Sequence, residues 1–333
     1  MRFSTRFKAH PGCKRVHAPV AAILLLSVCT GAHADSTDLY VGLAGQGAIG
    51  TYTTSGTDLG LFVTNGSGGL YDPQSFKFGP DGNLYVGGYL DNAIKEFNGS
   101  TGAFMRNLPT GDSYPFGVAF DGHGDLYVSN FFANTVSQVN LASGLVSHTY
   151  TGFDNPTGLL VATNGNLLVS NFSNGVVDSV NISTGIASVF ASGLSNLRDG
   201  LIYGPGGNLY VLNTGGGAIE KVNTDGSWTP FANINSQYPF TARTDAQSLV
   251  YDNGNFYTVI SADSDPGVAE YSGHNGAYLG SFALPEANVT GIAIKPASVP
   301  SSTPEPGAIG LLTGSALVTF RALKRRRKQR ATA

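Results

Sequence analysis

The chain has 333 residues, 41% hydrophobic and only 12% charged, and its formal charge of −3 hides a split. Five basic residues fall in 1–34 and seven in 321–330, so residues 35–306 keep seven Lys and Arg against all 22 Asp and Glu. Such an acidic body argues against nucleic acid as a partner, and with both cysteines, Cys13 and Cys29, ahead of residue 35 it has no disulfide, thiol catalysis or cysteine metal site.

Residues 1–34 read as a secretory signal peptide. Arg2, Arg6, Lys8, Lys14 and Arg15 make a basic start, and Val20 to Val28 is an apolar run too short to span a bilayer. Ala32-His33-Ala34 is a small-x-small cleavage motif, which places the cut between Ala34 and Asp35.

From residue 35 to 296 the sequence repeats. The marker is a short apolar run: Leu39-Tyr40-Val41, Leu84-Tyr85-Val86, Leu126-Tyr127-Val128, Leu167-Leu168-Val169, Leu209-Tyr210-Val211 and Phe256-Tyr257. Its copies lie 41 to 47 residues apart, most of them after an Asp-Gly or Gly-Asn turn such as Asp81-Gly82-Asn83. A phrase close to Asn-x-x-Thr-Gly follows, at 98–102, 140–144, 181–185 and 223–226. Within one unit, residues 115–155, four Val-, Tyr- and Phe-rich runs alternate with Gly, Asn and Asp. These are four strands joined by hairpins. A period in the low forties with four strands per unit is the sequence form of a β-propeller blade. Six markers predict six blades. The body begins at a second-strand marker, whereas Val289 to Ile294 copies a first strand. The leftover strand is therefore predicted to pair with Leu39 to Gly42 and close the ring, hiding two strand edges.

Residues 297–306 form a Pro/Ser linker. An apolar run then begins at Gly307 and ends at Phe320. It is short of the roughly 20 residues of a comfortable span, and extending it to 323 with Arg321 snorkelling gives a transmembrane helix over 307–323. Basic residues in 324–333 hold the end in the cytoplasm. The expected fold class is thus all-β, a six-bladed propeller closed by a C-terminal strand, plus a C-terminal transmembrane helix.

First-strand starts and second-strand ends share one rim of a propeller. The first-strand slots are Gln74, Phe116, Thr157, Asp199, Gln247 and Thr290, and Asn130, Asn171 and Asn213 end second strands. Asp199 is the one carboxylate in those slots, with Arg198 beside it. A polar ligand site could use Asp199, Arg198, Asn171 and Asn213, although asparagines recurring at one repeat position equally suit turn caps. The long stretch Asn233 to Thr244 falls on the same rim as a candidate lid. A lone carboxylate is poor for Ca²⁺, so no metal and no cofactor is expected. His123, His148 and His274 fall in a hairpin, on an outer strand and in a turn, and no catalytic residue is assigned.

Two family resemblances follow from these residues. Thr303-Pro304-Glu305-Pro306, the apolar run and the terminal arginine cluster resemble a PEP-CTERM sorting signal of Gram-negative bacteria, with Pro304, Glu305 and Pro306 as its motif. The resemblance implies export, transient membrane anchoring and processing by an exosortase, in bacteria that make extracellular polysaccharide. The Asp-Gly-Asn-Leu-Tyr-Val phrase at 81–86 and its copies resemble NHL-type propellers and the related lactonase (SMP-30-like) and streptogramin-lyase propellers. In the lactonase type an acid and two asparagines surround a metal with a second acid; here Gln74 stands at that second slot. The expected function is an exported cell-surface or matrix propeller, acting as a binding or scaffold module for polysaccharide or another surface protein. The alternative is a metal-assisted lactonase- or lyase-like enzyme with a channel-mouth site near Asp199.

Overall fold

The computed structural model describes residues 38–296 apart from 89–91, 112–113, 238–245, 262–265 and 286–287. The signal peptide with its Ala34/Asp35 cleavage site, the linker, the 307–323 helix and the basic tail lie outside the described residues. Among the described residues no helix is long and apolar enough to cross a membrane.

The chain forms six four-stranded antiparallel sheets, the six blades of a propeller. Blade 1 holds β1 (Asp38–Leu43), β2 (Ala48–Thr53) and β3 (Asp58–Val63). Blade 2 is β4 (Pro73–Phe78), β5 (Leu84–Gly88), β6 (Ala93–Phe97) and β7 (Phe104–Pro109). Blade 3 is β8 (Pro115–Phe120), β9 (Asp125–Asn130), β10 (Thr135–Asn140) and β11 (Leu145–Thr151). Blade 4 is β12 (Pro156–Val161), β13 (Leu167–Asn171), β14 (Val177–Val180) and β15 (Ala187–Ala191). Blade 5 is β16 (Ile202–Tyr203), β17 (Leu209–Asn213), β18 (Ala218–Val222) and β19 (Trp228–Asn233). Blade 6 is β20 (Ala246–Asp252), β21 (Asn255–Ile260), β22 (Gly267–Ser272) and β23 (Tyr278–Ala283). The last strand, β24 (Val289–Ile294), returns to pair with β1, matching Leu39 with Ile294 and Leu43 with Val289. The ring closes as the leftover strand predicts.

The marker recurs because the second strand of each blade is buried on both faces. Side chains alternate along a strand, so each marker feeds two interfaces. Leu84 and Val86 pack into the cluster shared with blade 1, while Tyr85 packs into the one shared with blade 3. Leu126 and Val128 then face blade 2, and Tyr127 faces blade 4. The same reading holds round the ring, one apolar cluster at each of six interfaces. The turn phrases have equally local causes. Asp81 accepts hydrogen bonds from Tyr85 Oη and Asn83 Nδ2, each at 2.9 Å, which pins the hairpin to the marker. Asn98 Oδ1 accepts from the backbone of Ser100 and Thr101, and Gly102 closes that turn at φ 68°, a conformation L side chains rarely adopt.

Blade 5 departs from the repeat. Its inner strand is only β16, and Asp199 lies before it in a bridge to Ser248 of blade 6. The candidate lid begins with a single helical turn, α1 (Ile234–Gln237), and its remainder lies outside the described residues.

Candidate functional site

The residue after each first-strand slot is small: Ser75, Gly117, Gly158, Gly200, Ser248 and Gly291. This lets neighbouring inner strands approach closely at that level. A Cβ added at Gly117 would overlap the carbonyl oxygen of Thr157, and one at Gly158 would stand 2.9 Å from that of Arg198. The hydroxyls of the collar are tied down. Ser129 donates to Thr157 O at 2.6 Å, Thr157 to Leu197 O at 2.9 Å, and Thr290 to Pro73 O.

Asp199 belongs to this collar and is 4% exposed. Ser75 Oγ donates to its Oδ2 at 2.5 Å from across the channel, and Ser248 Oγ lies 3.4 Å from the same oxygen. It lines a cavity of about 410 Å³ whose other walls come from the far ends of inner strands: Lys77 and Phe78 of β4, Tyr251 and Asp252 of β20, and Ile294 of β24. The cavity beside Asp199 therefore reaches toward the first-to-second-strand hairpins. The strand order of the sequence puts the site on the opposite rim; at that level the small residues of the collar let neighbouring inner strands close together.

Asn171 and Asn213 are engaged apart from Asp199. Asn171 Oδ1 accepts from Asp154 N at 2.9 Å, and its amide donates to Asp178 Oδ2 at 2.8 Å. Asn213 Oδ1 accepts from Ser195 N at 2.9 Å, and its amide donates to Glu220 Oε1 at 3.2 Å. Both cap the loop entering their blade and reach an acid seven positions on, at the start of the third strand. Burial raises both carboxyl pKa values above the ordinary acid range, against the smaller opposing pull of the asparagine bonds. Glu220 Oε2 is buried with no hydrogen-bond partner. Asp178 and Glu220 escaped the sequence reading; the offset of seven was the signal. Among the described residues no group of three His, Cys, Asp or Glu side chains comes together to hold a metal ion. His123, His148 and His274 are all exposed.

Arg198 stands elsewhere, its guanidinium carbon 5.2 Å over the Phe172 ring. There it joins an aromatic ledge on the first-strand-start rim. Phe131 packs 5.8 Å from Phe172, 6.0 Å from Phe116 and 5.0 Å from Phe132, and Phe132 meets Tyr114 edge-on at 4.4 Å. Phe131, Phe172, Phe116 and Arg198 are half-buried, and Phe132 is 53% exposed. The loops beneath are braced. Asn155 N donates to Asn134 Oδ1 at 2.8 Å, its amide donates to Phe131 O at 2.9 Å, and Ser173 donates to Asn155 Oδ1 at 2.6 Å. Tyr114 has φ 63°, where Asn155 (52°) and Asn288 (64°) hold the corresponding place before their inner strands. Asparagine tolerates this left-handed backbone, whereas an aromatic residue is strained there.

The fold defines a class, the six-bladed β-propeller, and solved structures agree. The chain is similar to a structure of a nidogen/laminin complex (TM-score 0.63, 14% identity, 78% of this chain and 98% of that one). It is also similar to virginiamycin B lyase from Staphylococcus aureus (0.56, 15%, 75% and 82%) and to a streptogramin B lyase (0.55, 14%, 77% and 91%). No protein family and no curated protein matches the sequence.

Proposed function

We propose that this chain is an exported envelope protein, sorted by its PEP-CTERM signal, that binds extracellular polysaccharide through the aromatic ledge. The observation that carries the reading is Tyr114. Its strained backbone occurs where blade 4 and the closing strand β24 use asparagine, Asn155 and Asn288, and the ring it presents completes a row running through Phe132 and Phe131 to Phe172. Local strain of this kind clusters at ligand sites. The C–H face of a pyranose is apolar and faintly positive, which suits the negative face of an aromatic ring. Arg198 adds a cation beside the Phe172 ring at the end of the row.

Relatives in fold include a binding complex and lyases, and the enzymatic reading has less support. One lyase structure is described as a catalytically inactive histidine-to-alanine form. In this chain the three body histidines are exposed on hairpin, outer strand and turn. Asn171 and Asn213 spend their amides on Asp178 and Glu220.

The test is binding of the purified full-length chain to an array of bacterial polysaccharides with and without chelator. Chelator-insensitive binding that falls about tenfold in Phe132→Ala, a loss of about 1.4 kcal/mol, supports the proposal. Binding unchanged in Phe131→Ala and Phe132→Ala sinks the ledge. Lactone hydrolysis lost in Asp199→Ala and on chelation would replace the reading with the enzyme. Sorting is tested separately by replacing Pro304-Glu305-Pro306 with alanines in a host carrying the matching exosortase. Unprocessed protein should accumulate in the membrane fraction, and normal processing would refute the assignment.

A further inference from the structure

We propose that the cavity on the hairpin side of the channel binds a small zwitterion with an apolar side chain, a free apolar α-amino acid being the simplest example. This site is separate from the ledge and does not rest on the polysaccharide reading.

Two opposite charges share the cavity without meeting. Asp199 and Lys77 both line it, and they form no ion pair. Both serine hydroxyls that reach Asp199 go to Oδ2, and among the described residues Oδ1 accepts no hydrogen bond although the side chain is 4% exposed. An ammonium group has three N–H donors, and Lys77 spends one on Leu159 O at 3.0 Å. The remaining walls are mostly apolar, including Phe78, Leu160, Ile202, Val250 and Ile294. Charges facing apolar walls are costly unless paired. Ser75, which holds Asp199, and Lys77 are two residues apart on the same face of β4, about 7 Å along the strand.

A ligand that sets an ammonium on Asp199 Oδ1 and a carboxylate on Lys77 satisfies both at once. A simple amine or a simple carboxylate satisfies one and leaves the other. Asp252, the third charge on the wall, already has a partner within the protein. The volume of about 410 Å³ lies in the range of small-molecule sites and leaves room for an apolar side chain against the walls.

Isothermal titration of the purified full-length chain tests this with L-leucine, N-acetyl-L-leucine and L-leucinamide. L-Leucine should bind saturably, and each single-charge derivative should bind at least about tenfold more weakly. Lys77→Met should erase the advantage of leucine over leucinamide, and Asp199→Asn its advantage over N-acetyl-leucine. A merely structural role for either residue would not produce that crossed pattern. Where Asp199→Asn loses its cooperative melt, Lys77→Met alone decides. The proposal is overturned if leucine, phenylalanine and methionine all give no saturable heat, if the derivatives bind as well as leucine, or if Lys77→Met binds all three ligands like the wild type.

Discussion

Ring closure through β24 can be tested by two truncations. Ending the chain at residue 288 removes a strand paired to β1 from Leu39 to Leu43. Val289 and Ile292, 0% and 2% exposed, leave the cluster they share with Leu39, Val41 and Val259. Two such side chains contribute about 1.5–3 kcal/mol each, hence about 3–6 kcal/mol together. Ala293 also leaves the neighbouring interface, and β1 is left with an unpaired edge. A typical domain is stable by about 5–15 kcal/mol in all, so the truncated ring should lose most of its stability. Ending the chain at residue 296 instead keeps every strand of the ring. Urea and thermal melts of leader-free 35–288 and 35–296 separate the cases: the longer should unfold cooperatively, the shorter should aggregate or melt without a transition. Equal midpoints and equal urea slopes would show that the ring does not close through this strand.

Other sites yield sharper, smaller tests. Tyr114→Asn should stabilise the fold by about 1 kcal/mol by relieving left-handed strain, yet weaken polysaccharide binding; a variant that is neither more stable nor a weaker binder contradicts both halves of the argument. Gly117→Ala should cost about 3 kcal/mol or more, beyond ordinary overpacking, because its Cβ meets a backbone carbonyl that cannot rotate away, and a loss under about 0.5 kcal/mol in denaturant titration would refute the close approach. Because burial raises the Glu220 carboxyl, its stability contribution is full below the ordinary glutamate range and is lost as pH rises through the raised value. Glu220→Gln should therefore be the more stable form at pH 8, with a flatter melting-temperature profile on the acid side; an unchanged profile would mean the group is not buried as described.

The blade count was legible because each marker must fill two interfaces, so its composition is dictated twice. Leu126, Tyr127 and Val128 cannot drift without opening a gap toward blade 2 or blade 4. Turn phrases were legible for a similar reason, since Asn98 and Gly102 act within five residues of each other. The sites were less so. The ledge draws Tyr114, Phe131, Phe172 and Arg198 from three blades; Phe131 and Phe172 share a repeat position, each after a second-strand-end asparagine, but no spacing joins Tyr114 and Arg198 to them. The rim by which Asp199 is reached depends on how tightly Gly158 and its equivalents let the inner strands approach, which is a property of the closed ring.

The repeat itself suggests where function can vary. In the third strands of blades 2 to 5, seven positions after the second-strand end, stand Lys95, Ser137, Asp178 and Glu220. All four meet the same demand with different chemistry. Lys95 donates to Gly68 O at 3.0 Å, and Ser137 donates to Thr110 O at 2.7 Å while accepting from Asn130. Asp178 and Glu220 accept from Asn171 and Asn213. A slot that tolerates a cation, a hydroxyl and two acids is constrained only to close hydrogen bonds at a loop entrance, so these residues belong to the scaffold despite their charge. Lys77 and Tyr114 differ in setting. One is an ammonium that bonds a backbone carbonyl as Lys95 does but stands in the wall of a cavity beside Asp199, and the other is an aromatic residue in a conformation that disfavours it. Departures that cost the fold something and are not used by the repeat are where ligands are most usefully sought.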